Sequence, residues 1–260
     1  MATRPAPRLT FRVDQLSVEV YVTRAEMGQA AAYDALAALE RVQYDGASPR
    51  AIFAAAPSQN EMLAGLRHGG RVDWRCVHGF HMDEYLGLPP DAPQSFGRFL
   101  RERLFGELSF GSVRYLDGQT TDPAAECARY AVLLAQGSID LVCAGIGENG
   151  HMAFNDPPVA NFHDPALVKV VALDGTCRQQ QVNDGAFAAL EQVPTHAITL
   201  TMPALLSARR IVCVVPGPTK AQAVEAALTG SIDEACPASA LRRHPNAVLY
   251  LDRASAARII

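Results

Sequence analysis

Residues able to move protons are concentrated in two short segments of this chain. One segment ends in Asp83 and Glu84, and the other carries Asn149, His151 and Asp156. Each begins as an apolar run and then turns polar or glycine-rich, which is typical of a buried strand that ends at the rim of a sheet. A carboxylate, a histidine and a second carboxylate at one rim could act as base and acid on a small molecule.

Asp83 is the better candidate for a general base. Glu84 is expected to support it or to contact the substrate, and a simply solvated side chain is the alternative. A metal site is the alternative, because His78 and His81 precede this carboxylate pair. A metal needs three or four converging ligands. Side chains alternate along a regular strand, so His78 and Asp83 would point to opposite faces. The pattern therefore favours acid–base chemistry without a metal.

The glycine-rich turn of the second segment formally matches a dinucleotide-binding motif. Gly145, Gly147 and Gly150 have the GxGxxG spacing after a strand, and Asp174 follows about 20 residues later, after another strand. The helix that this motif requires is missing, because Pro157–Pro158 arrives before two helical turns could form. Gly145 and Gly147 are instead expected to let the main chain turn tightly against a ligand. NAD binding is therefore not predicted.

Two helix starts are suited to an anion. Ala56–Asn60 and Pro216–Lys220 each follow an apolar strand and open a helix. Free main-chain N–H groups and the helix dipole favour a phosphate there, with Ser58 adding a hydroxyl and Lys220 a full charge. Arg178 lies in a segment that could close as a lid on the same phosphate. Ordinary N-capping and a solvated arginine are the alternatives.

Short apolar segments rich in valine and isoleucine alternate with helical patterns along the chain. The predicted strands are Ala51–Ala56, Trp74–His81, Ser112–Leu116, Ile139–Ala144, Val168–Leu173, Ala197–Thr201, Ile211–Val215 and Ala247–Leu251. The predicted helices follow the caps Thr23, Asp122 and Thr219. This alternation predicts an α/β fold with a single doubly wound, mostly parallel sheet and helices on both faces, a Rossmann-like architecture. One domain over residues 1–260 is expected, with residues 1–12 as a flexible tail.

The overall composition argues against several kinds of partner. The net charge of −4 over 260 residues gives no electrostatic reason to expect nucleic acid or an anionic membrane. No apolar run reaches about 18 residues, so no membrane span is predicted. The six cysteines form no CxxC pair and the N-terminus does not resemble a signal peptide, so a reducing, cytoplasmic location is expected.

With these residues in place, the chain resembles the glucosamine-6-phosphate deaminase/isomerase family, whose relatives include 6-phosphogluconolactonases. The resemblance spans about Ala51 to Asp252. Its most specific parts are Met82–Tyr85, Gly145–Gly147, Gly150–Asn155, Arg178 and Gly217–Lys220. The first of these and the Ala153-Phe154-Asn155 run are similar to the deaminase branch rather than to the lactonase branch.

The resemblance implies a role for each site residue. His151 would promote opening of an amino-sugar ring, with Asp156 in support and Asn149 orienting the imidazole. Asp83 would move a proton from C2 to C1 of the sugar, and loss of ammonia would leave fructose 6-phosphate. The phosphate would be held by Ser58, Arg178 and Lys220. No metal or cofactor is implied; the partner is a small phosphosugar, and a homo-oligomer stays open.

Three departures from the family pattern bear on the substrate. Ala56–Gln59 stands where many members have Gly-Gly-Thr, Asn149 where some have an aspartate, and Asp156 where the family has a glutamate. Proline removes one N–H donor from the first turn, the amide supplies no charge, and the shorter carboxylate could lengthen its contact with the histidine. A related sugar-phosphate isomerase, a lactonase and a non-catalytic sugar-phosphate sensor therefore remain alternatives.

Overall fold

The computed structural model describes residues 3–173, 175–183 and 185–260, so Asp174 of the dinucleotide-like pattern lies outside the described residues. The strands are β1 (Leu9–Val13), β2 (Leu16–Tyr21), β3 (Arg50–Phe53), β4 (His78–His81), β5 (Asp83–Tyr85), β6 (Ser112–Arg114), β7 (Leu141–Ala144), β8 (Val168–Ala172), β9 (His196–Leu200), β10 (Arg210–Val215) and β11 (Ala247–Asp252). The helices are α1 (Arg24–Tyr44), α2 (Asn60–His68), α3 (Phe96–Leu100), α4 (Pro123–Ala135), α5 (Gly175–Asn183), α6 (Met202–Leu206) and α7 (Ala221–Thr229).

Eight strands form the main sheet in the order β1-β2-β11-β10-β7-β3-β4-β6. Every neighbouring pair is parallel except β1 with β2. The chain runs outwards from β3 through β4 to β6, then returns to β7 on the other side of β3 and continues through β10 to β11. The strand order therefore reverses between β3 and β7, and ligands bind at such a switch point in doubly wound sheets. The predicted fold class is confirmed.

Helices cover both faces of this sheet because successive strand residues point to opposite sides. Ile52 of β3 packs in a cluster with side chains of α4, α6 and α7. Its neighbours Ala51 and Phe53 pack in a second cluster with side chains of α1 and α2. The first helix begins as predicted, with Thr23 and Glu26 forming a reciprocal capping box. No helix among the described residues is long and apolar enough to cross a membrane.

Two predicted strands of the main sheet belong instead to a second, smaller sheet. β8 and β9 pair antiparallel with each other, and β9 pairs antiparallel with β5, in the order β5-β9-β8. An apolar run indicates a strand but not the sheet that the strand joins. The sequence of β8 gives a partial signal, because it includes the charged residue Lys169, which is unlike a strand covered on both faces. In the structure, Lys169 is partly exposed and Val170 is exposed.

The sequence predicted a flexible tail over residues 1–12. In the structure, the described part of this segment lies against the fold. β1 and β2 form a hairpin with Leu9 opposite Val20, and the hairpin extends the main sheet beyond β11. Arg4 forms ion pairs with Glu19 at 2.6 Å and with Asp34 at 2.7 Å. The alternation along Leu16–Tyr21, with four of six residues buried, is the strand signal that the prediction missed.

Candidate active site

The turns that follow β3 and β7 meet at the switch point of the main sheet. Ser58 and Gln59 lie in the short 3-10 helix that precedes α2, and Gly145 directly follows β7. A Cβ atom at Gly145 would stand 2.8 Å from Nε2 of Gln59 and 3.4 Å from Oγ of Ser58. A side chain at this position would therefore have to displace the amide of Gln59, so glycine lets the two turns approach closely.

His151 is held by two oxygen acceptors on the same ring nitrogen. Its Nδ1 lies 2.8 Å from Oδ1 of Asn149 and 3.0 Å from Oδ1 of Asp156. The amide of Asn149 is oriented by its own bonds, since Nδ2 donates to Asp156 at 2.8 Å while Oδ1 accepts from the main-chain N–H of His151 at 3.1 Å. We therefore assign the ring proton to Nδ1, which leaves the lone pair of the neutral imidazole on Nε2.

The glycine turn places this imidazole directly over its own main chain. A Cβ atom at Gly147 would come within 2.1 Å of Cε1 and 2.2 Å of Nε2 of His151. Gly147 also donates its main-chain N–H to the carbonyl of His151 at 2.9 Å, which closes the turn. Gly150 has a φ of +86°, which favours glycine. The GxGxxG spacing thus makes room for a histidine rather than for a dinucleotide.

Asp156 stays ionised although it is buried. Burial alone would raise the pKa of Asp156, but hydrogen bonds from His151, Asn149 and Cys177 hold it below its usual value. Asp156 is one methylene shorter than a glutamate, yet its direct contact with His151 is kept at 3.0 Å. A carboxylate that also accepts a hydrogen bond from Asn149 is a suitable partner for the Nδ1–H of an acid–base histidine.

Asp83 is a buried carboxylate with the opposite tendency. It lies on β5 and is 6% exposed. Burial, with smaller contributions from the charges of Glu84 and Asp156, raises the pKa of Asp83 well above its usual value. A carboxylate of increased proton affinity is suited to removing a proton from carbon.

The loop that carries His151 is tied to the strand that carries Asp83 through β9. Thr199 lies opposite Asp83 in the β5–β9 ladder, and its Oγ1 accepts the main-chain N–H of Phe154 at 3.1 Å. The Nδ2 of Asn155 donates to the carbonyl of Leu200 at 2.8 Å. The sequence analysis missed the role of Thr199. No local signal indicates it, because the contact depends on the second sheet.

Glu84 was expected to contact the ligand, and the structure places it elsewhere. Its carboxylate accepts four hydrogen bonds, from Ser95 Oγ at 2.8 Å and from main-chain N–H groups of Tyr85 at 2.9 Å, Phe96 at 3.2 Å and Gly97 at 2.9 Å. Glu84 therefore binds the N-terminus of α3, and its oxygens are already occupied. Side chains alternate along β5, which turns Glu84 away from the face that Asp83 occupies.

The two helix starts proposed as anion sites differ from the others. α1, α3, α4 and α6 each begin with a side chain that accepts a hydrogen bond from the first turn, namely Thr23, Ser95, Asp122 and Thr201. α2 and α7, which lie wholly within the described residues, begin without such a cap. N-capping by Ser58 or Thr219 is therefore not observed. The first-turn N–H groups lack a side-chain acceptor at both starts, which is compatible with an anion.

Lys220 and Arg178, the other two candidates for binding the phosphate, have different surroundings. Lys220 ends the 3-10 helix that leads into α7, and this turn is fixed by Asp252, which accepts the main-chain N–H of Gly217 at 3.1 Å. Arg178 lies on α5, where Nη2 donates to the carbonyls of Leu190 at 2.6 Å and Val193 at 2.9 Å. A phosphate would have to bind Arg178 through its remaining N–H groups or displace these carbonyls.

Within the described part of the chain, no cluster of three or more histidine, cysteine, aspartate or glutamate side chains could hold a metal ion. His78, one of the candidate ligands, has its Nδ1 2.8 Å from Oγ of Ser112.

A doubly wound sheet with an acid–base cluster and uncapped helix starts at its switch point defines the class of α/β proteins that bind a small ligand at the carboxyl edge of the sheet. Residues 23–250 match the model of one family, described as glucosamine-6-phosphate isomerases/6-phosphogluconolactonase. The chain belongs to this family, as the motifs predicted.

Similar proteins support the assignment of the chain to this family. A glucosamine-6-phosphate deaminase of Exiguobacterium sp. is 41% identical over 72% of this chain and 72% of its own length. A glucosamine-6-phosphate deaminase of Bacillus cytotoxicus is 37% identical over 83% of this chain and 80% of its own.

Solved structures show the same fold. The structure of a monomeric glucosamine-6-phosphate deaminase matches with a TM-score of 0.82 at 28% identity, over 93% of this chain and 99% of that one. A 6-phosphogluconolactonase from Thermotoga maritima matches with a TM-score of 0.73 at 20% identity, over 90% of this chain and 99% of that one, which indicates a shared fold alone.

Proposed function

We propose that this protein converts glucosamine 6-phosphate into fructose 6-phosphate and ammonia, by aldose–ketose isomerisation with deamination. The observation that carries the proposal is the pair of carboxylates with opposite tendencies around one histidine. Asp156 is held ionised against His151, whereas the pKa of Asp83 is raised. Such divergent environments distinguish a group that supports an acid–base histidine from a group that acts as base itself.

Ring opening is assigned to His151. With its proton on Nδ1, the imidazole can accept the proton of the anomeric hydroxyl on Nε2 and return it to the ring oxygen, which yields the open-chain aldehyde. Asp156 stabilises the imidazolium that forms in between, and Asn149 keeps the ring in place. The contribution of such a positioned acid–base group is about 10²–10⁴-fold in rate.

Isomerisation and deamination are assigned to Asp83. Its carboxylate removes the hydrogen from C2, next to the aldehyde, and delivers it to C1, passing through an enolamine. Protonation at C1 leaves an iminium at C2. Water then adds to C2 and ammonia leaves, so that the ketone of fructose 6-phosphate forms. Burial of Asp83 favours this transfer, because the shuttled proton does not exchange with a surrounding layer of water.

The phosphate is assigned to the switch point. The uncapped starts of α2 and α7 offer main-chain N–H groups, while Ser58 and Lys220 add a hydroxyl and a charge. Oγ of Ser58 accepts a hydrogen bond from Gln59 Nε2 at 3.1 Å, so its own hydrogen is available for an anionic oxygen. Arg178 would join from α5. A cytoplasmic enzyme that needs no cofactor is consistent with this chemistry.

The direct test is an ammonia-release assay on purified protein with glucosamine 6-phosphate, coupled to detection of fructose 6-phosphate. Both products in equal amounts, at more than about 1 per second, are expected. Hydrolysis of 6-phosphogluconolactone without ammonia release would identify a lactonase instead. Thermal stabilisation by hexose phosphates without any product would identify a sensor.

Asp83→Asn tests the role of Asp83 as the base that removes the C2 proton. We expect turnover to fall by at least about 10³-fold, since the amide cannot accept the C2 proton, while substrate affinity stays within about tenfold. Asp45→Asn, a change of the same type at the exposed C-terminal cap of α1, is the control and should leave kcat unchanged. Full activity of Asp83→Asn would remove Asp83 as the base.

A further inference from the structure

Gln59 is a buried amide at the switch point whose two polar atoms have different surroundings. The residue lies in the turn after β3 and is 0% exposed. Its Nε2 donates a hydrogen bond to Oγ of Ser58 at 3.1 Å. Its Oε1 is also buried, but it has no hydrogen-bond partner among the described residues. A buried carbonyl oxygen without a donor lowers stability, so this amide calls for a reason other than the stability of the fold.

The amide lies between the turns that follow β3 and β7. At the ends of these strands, Ala54 donates its main-chain N–H to the carbonyl of Cys143 at 2.9 Å, which keeps the two chains together. Two residues beyond Cys143, a Cβ atom at Gly145 would stand 2.8 Å from Nε2 of Gln59. The bare main chain at Gly145 therefore gives the amide room to reach Ser58.

Gln43, near the end of α1, is a glutamine that serves the fold. Its Nε2 donates to the carbonyl of Asp73 at 2.7 Å, and its Oε1 accepts the main-chain N–H of the same residue at 3.0 Å. Both polar atoms of Gln43 are thus paired, and the side chain links α1 to the segment before β4. In Gln59 only Nε2 is paired, and its partner is the hydroxyl of Ser58.

The hydrogen bond from Gln59 restricts the direction of the Ser58 hydroxyl. A hydroxyl group has one hydrogen and two lone pairs. Because Nε2 of Gln59 donates to one lone pair, the hydrogen of Ser58 is directed away from the amide. Ser58 is partly exposed, whereas Gln59 is buried, so a ligand at this turn can reach the hydroxyl. A hydroxyl that is already oriented donates to an anionic oxygen with less loss of conformational freedom.

We propose that Gln59 is a positioning residue for the phosphate and acts through Ser58. Its amide holds Oγ of Ser58 and leaves the hydroxyl hydrogen for a phosphate oxygen, while the unpaired Oε1 makes the arrangement less stable than an apolar one. The inference rests on the proposed binding of a phosphosugar at the switch point. It also gives the Ala56–Gln59 turn, which departs from the family pattern, a role in binding.

Gln59→Met separates binding from stability, because it keeps the length of the side chain and removes both polar atoms. We expect KM for glucosamine 6-phosphate to rise about tenfold with kcat within about threefold, since a bond to the phosphate stabilises the bound substrate and the transition state alike. The Tm of the variant should equal or exceed that of wild type, because the unpaired buried oxygen is gone.

Gln43→Met is the matched control and should have the opposite effects. The substitution leaves the main-chain N–H and carbonyl of Asp73 without their side-chain partner. We therefore expect its Tm to fall by about 2 °C or more, while KM and kcat stay at the wild-type values.

A double-mutant cycle tests whether Gln59 acts through Ser58. Ser58→Ala removes the hydroxyl and should itself raise KM. Adding Gln59→Met to Ser58→Ala should then change KM by less than about twofold, because the amide no longer has a hydroxyl to orient. An effect of Gln59→Met that persists in full without the hydroxyl would overturn the inference.

A second readout does not depend on activity. Calorimetric titration with fructose 6-phosphate gives a Kd for each variant, and Gln59→Met should raise this Kd about tenfold whereas Gln43→Met should not. A wild-type protein that binds fructose 6-phosphate but releases no ammonia, with weaker binding in Gln59→Met, would overturn the deaminase function and keep the inference.

Two further outcomes would overturn the inference alone. One is an active wild-type deaminase whose Gln59→Met variant keeps both KM and the Kd of fructose 6-phosphate. The other is a Gln59→Met variant that loses stability and kcat with an unchanged KM, which would assign Gln59 to the packing of the two turns.

Discussion

Asp83 and Asp156 are the same residue type in one site, and their surroundings separate them. Asp156 lies against His151 and Asn149, which stabilise its charge, whereas Asp83 is buried near the charges of Glu84 and Asp156. The difference sets which carboxylate keeps its charge and which takes up a proton. The same difference makes opposite predictions for stability.

For Asp83, a raised pKa means that the folded chain keeps a proton which the unfolded chain loses above about pH 4. Stability is therefore lost as the pH rises through the window between the usual and the raised pKa. Asp83→Asn carries no charge, so we expect its Tm to exceed that of wild type by at least about 3 °C at pH 7. The gap should close towards pH 4, and thermal unfolding across this range measures it.

Asp156→Asn is the control of opposite sign. The lowered pKa of Asp156 means that its carboxylate stabilises the fold above the pKa of an unfolded aspartate, and that this contribution is lost as the pH falls through the lowered value. Asp156→Asn should therefore unfold at a lower temperature than wild type at pH 7. Two variants that shift in the same direction at pH 7 would contradict the assignment of roles.

Residue types and their position after strands predict part of the site. Asp83, Asn149, His151 and Asp156 follow or lie on short strands, and the fold brings them to one edge. Their catalytic roles stay a proposal. The contacts of Glu84 with α3, and of Thr199 with Phe154, join distant parts of the chain. No local pattern encodes such contacts, because they arise only when the elements pack.

At the scale of the elements, the turn between β7 and His151 is tightly constrained. Gly147 lies beneath the imidazole, and a single added carbon would occupy the position of the ring. The motif pattern predicted a tight turn against a ligand. The structure gives a different reason for the glycine at this position, namely room for the catalytic side chain itself.

Gly147→Ala tests this constraint. We expect the imidazole to be displaced and kcat to fall about 10²-fold, as for a misplacement of about 1 Å, while KM changes less than about threefold. Gly175→Ala is the control, because a Cβ there meets open space. A variant with wild-type kcat would show that the ring is not confined by this turn.

The α3 helix depends on one buried carboxylate. Glu84→Gln keeps the shape but places an amide N–H against main-chain donors, so we expect the free energy of unfolding to fall by about 1–3 kcal/mol. The charge of Glu84 also helps to raise the pKa of Asp83. The acidic limb set by Asp83 should therefore move to lower pH in the variant.

Urea unfolding and pH–rate profiles measure both effects of Glu84→Gln. Glu102→Gln, at a glutamate that is 49% exposed and paired with Arg98, is the control and should change stability by less than about 0.5 kcal/mol. KM should stay within about threefold of wild type. A KM raised more than tenfold would restore Glu84 as a substrate contact.

At the level of the elements, periodicity predicted the alternation of strands and helices but not the assignment of strands to sheets. β8 and β9 form the second sheet with β5, and this sheet joins the strand of Asp83 to the loop of His151 through Thr199. Pairing between strands more than 100 residues apart depends on the packed fold, which a single sequence window does not contain.

For the whole molecule, the switch point explains why the site residues come from such distant positions. The parallel strands β3, β4, β7 and β10 lead into the segments that carry Ser58, Asp83, His151 and Lys220, so these segments leave the main sheet at one edge, and the reversal between β3 and β7 opens a crevice there. At the far side of the sheet, the β1–β2 hairpin completes the fold. This hairpin is held by a network of polar side chains centred on Arg4.

Arg4 bridges three parts of the molecule. Its guanidinium pairs with Glu19 of β2 and with Asp34 of α1, and Asp34 also accepts the hydroxyl of Tyr250 on β11 at 2.5 Å. Arg4→Ala would leave Glu19 and Asp34 without their short ion pairs and with only the more distant Arg210, whose Nη2 lies 3.9 Å from Oδ2 of Asp34. We therefore expect the free energy of unfolding to fall by about 1–3 kcal/mol, with kcat at 25 °C unchanged.

Arg41→Ala is the matched control, because Arg41 and its partner Asp45 are 72% and 53% exposed. An exposed pair of this kind contributes less than about 0.5 kcal/mol. Urea unfolding of both variants, and of a chain that begins at Leu9, measures the difference. If the N-terminal segment were a loose tail, all three would match wild type; if Arg4 anchors it, the truncated chain and Arg4→Ala lose stability together while Arg41→Ala does not.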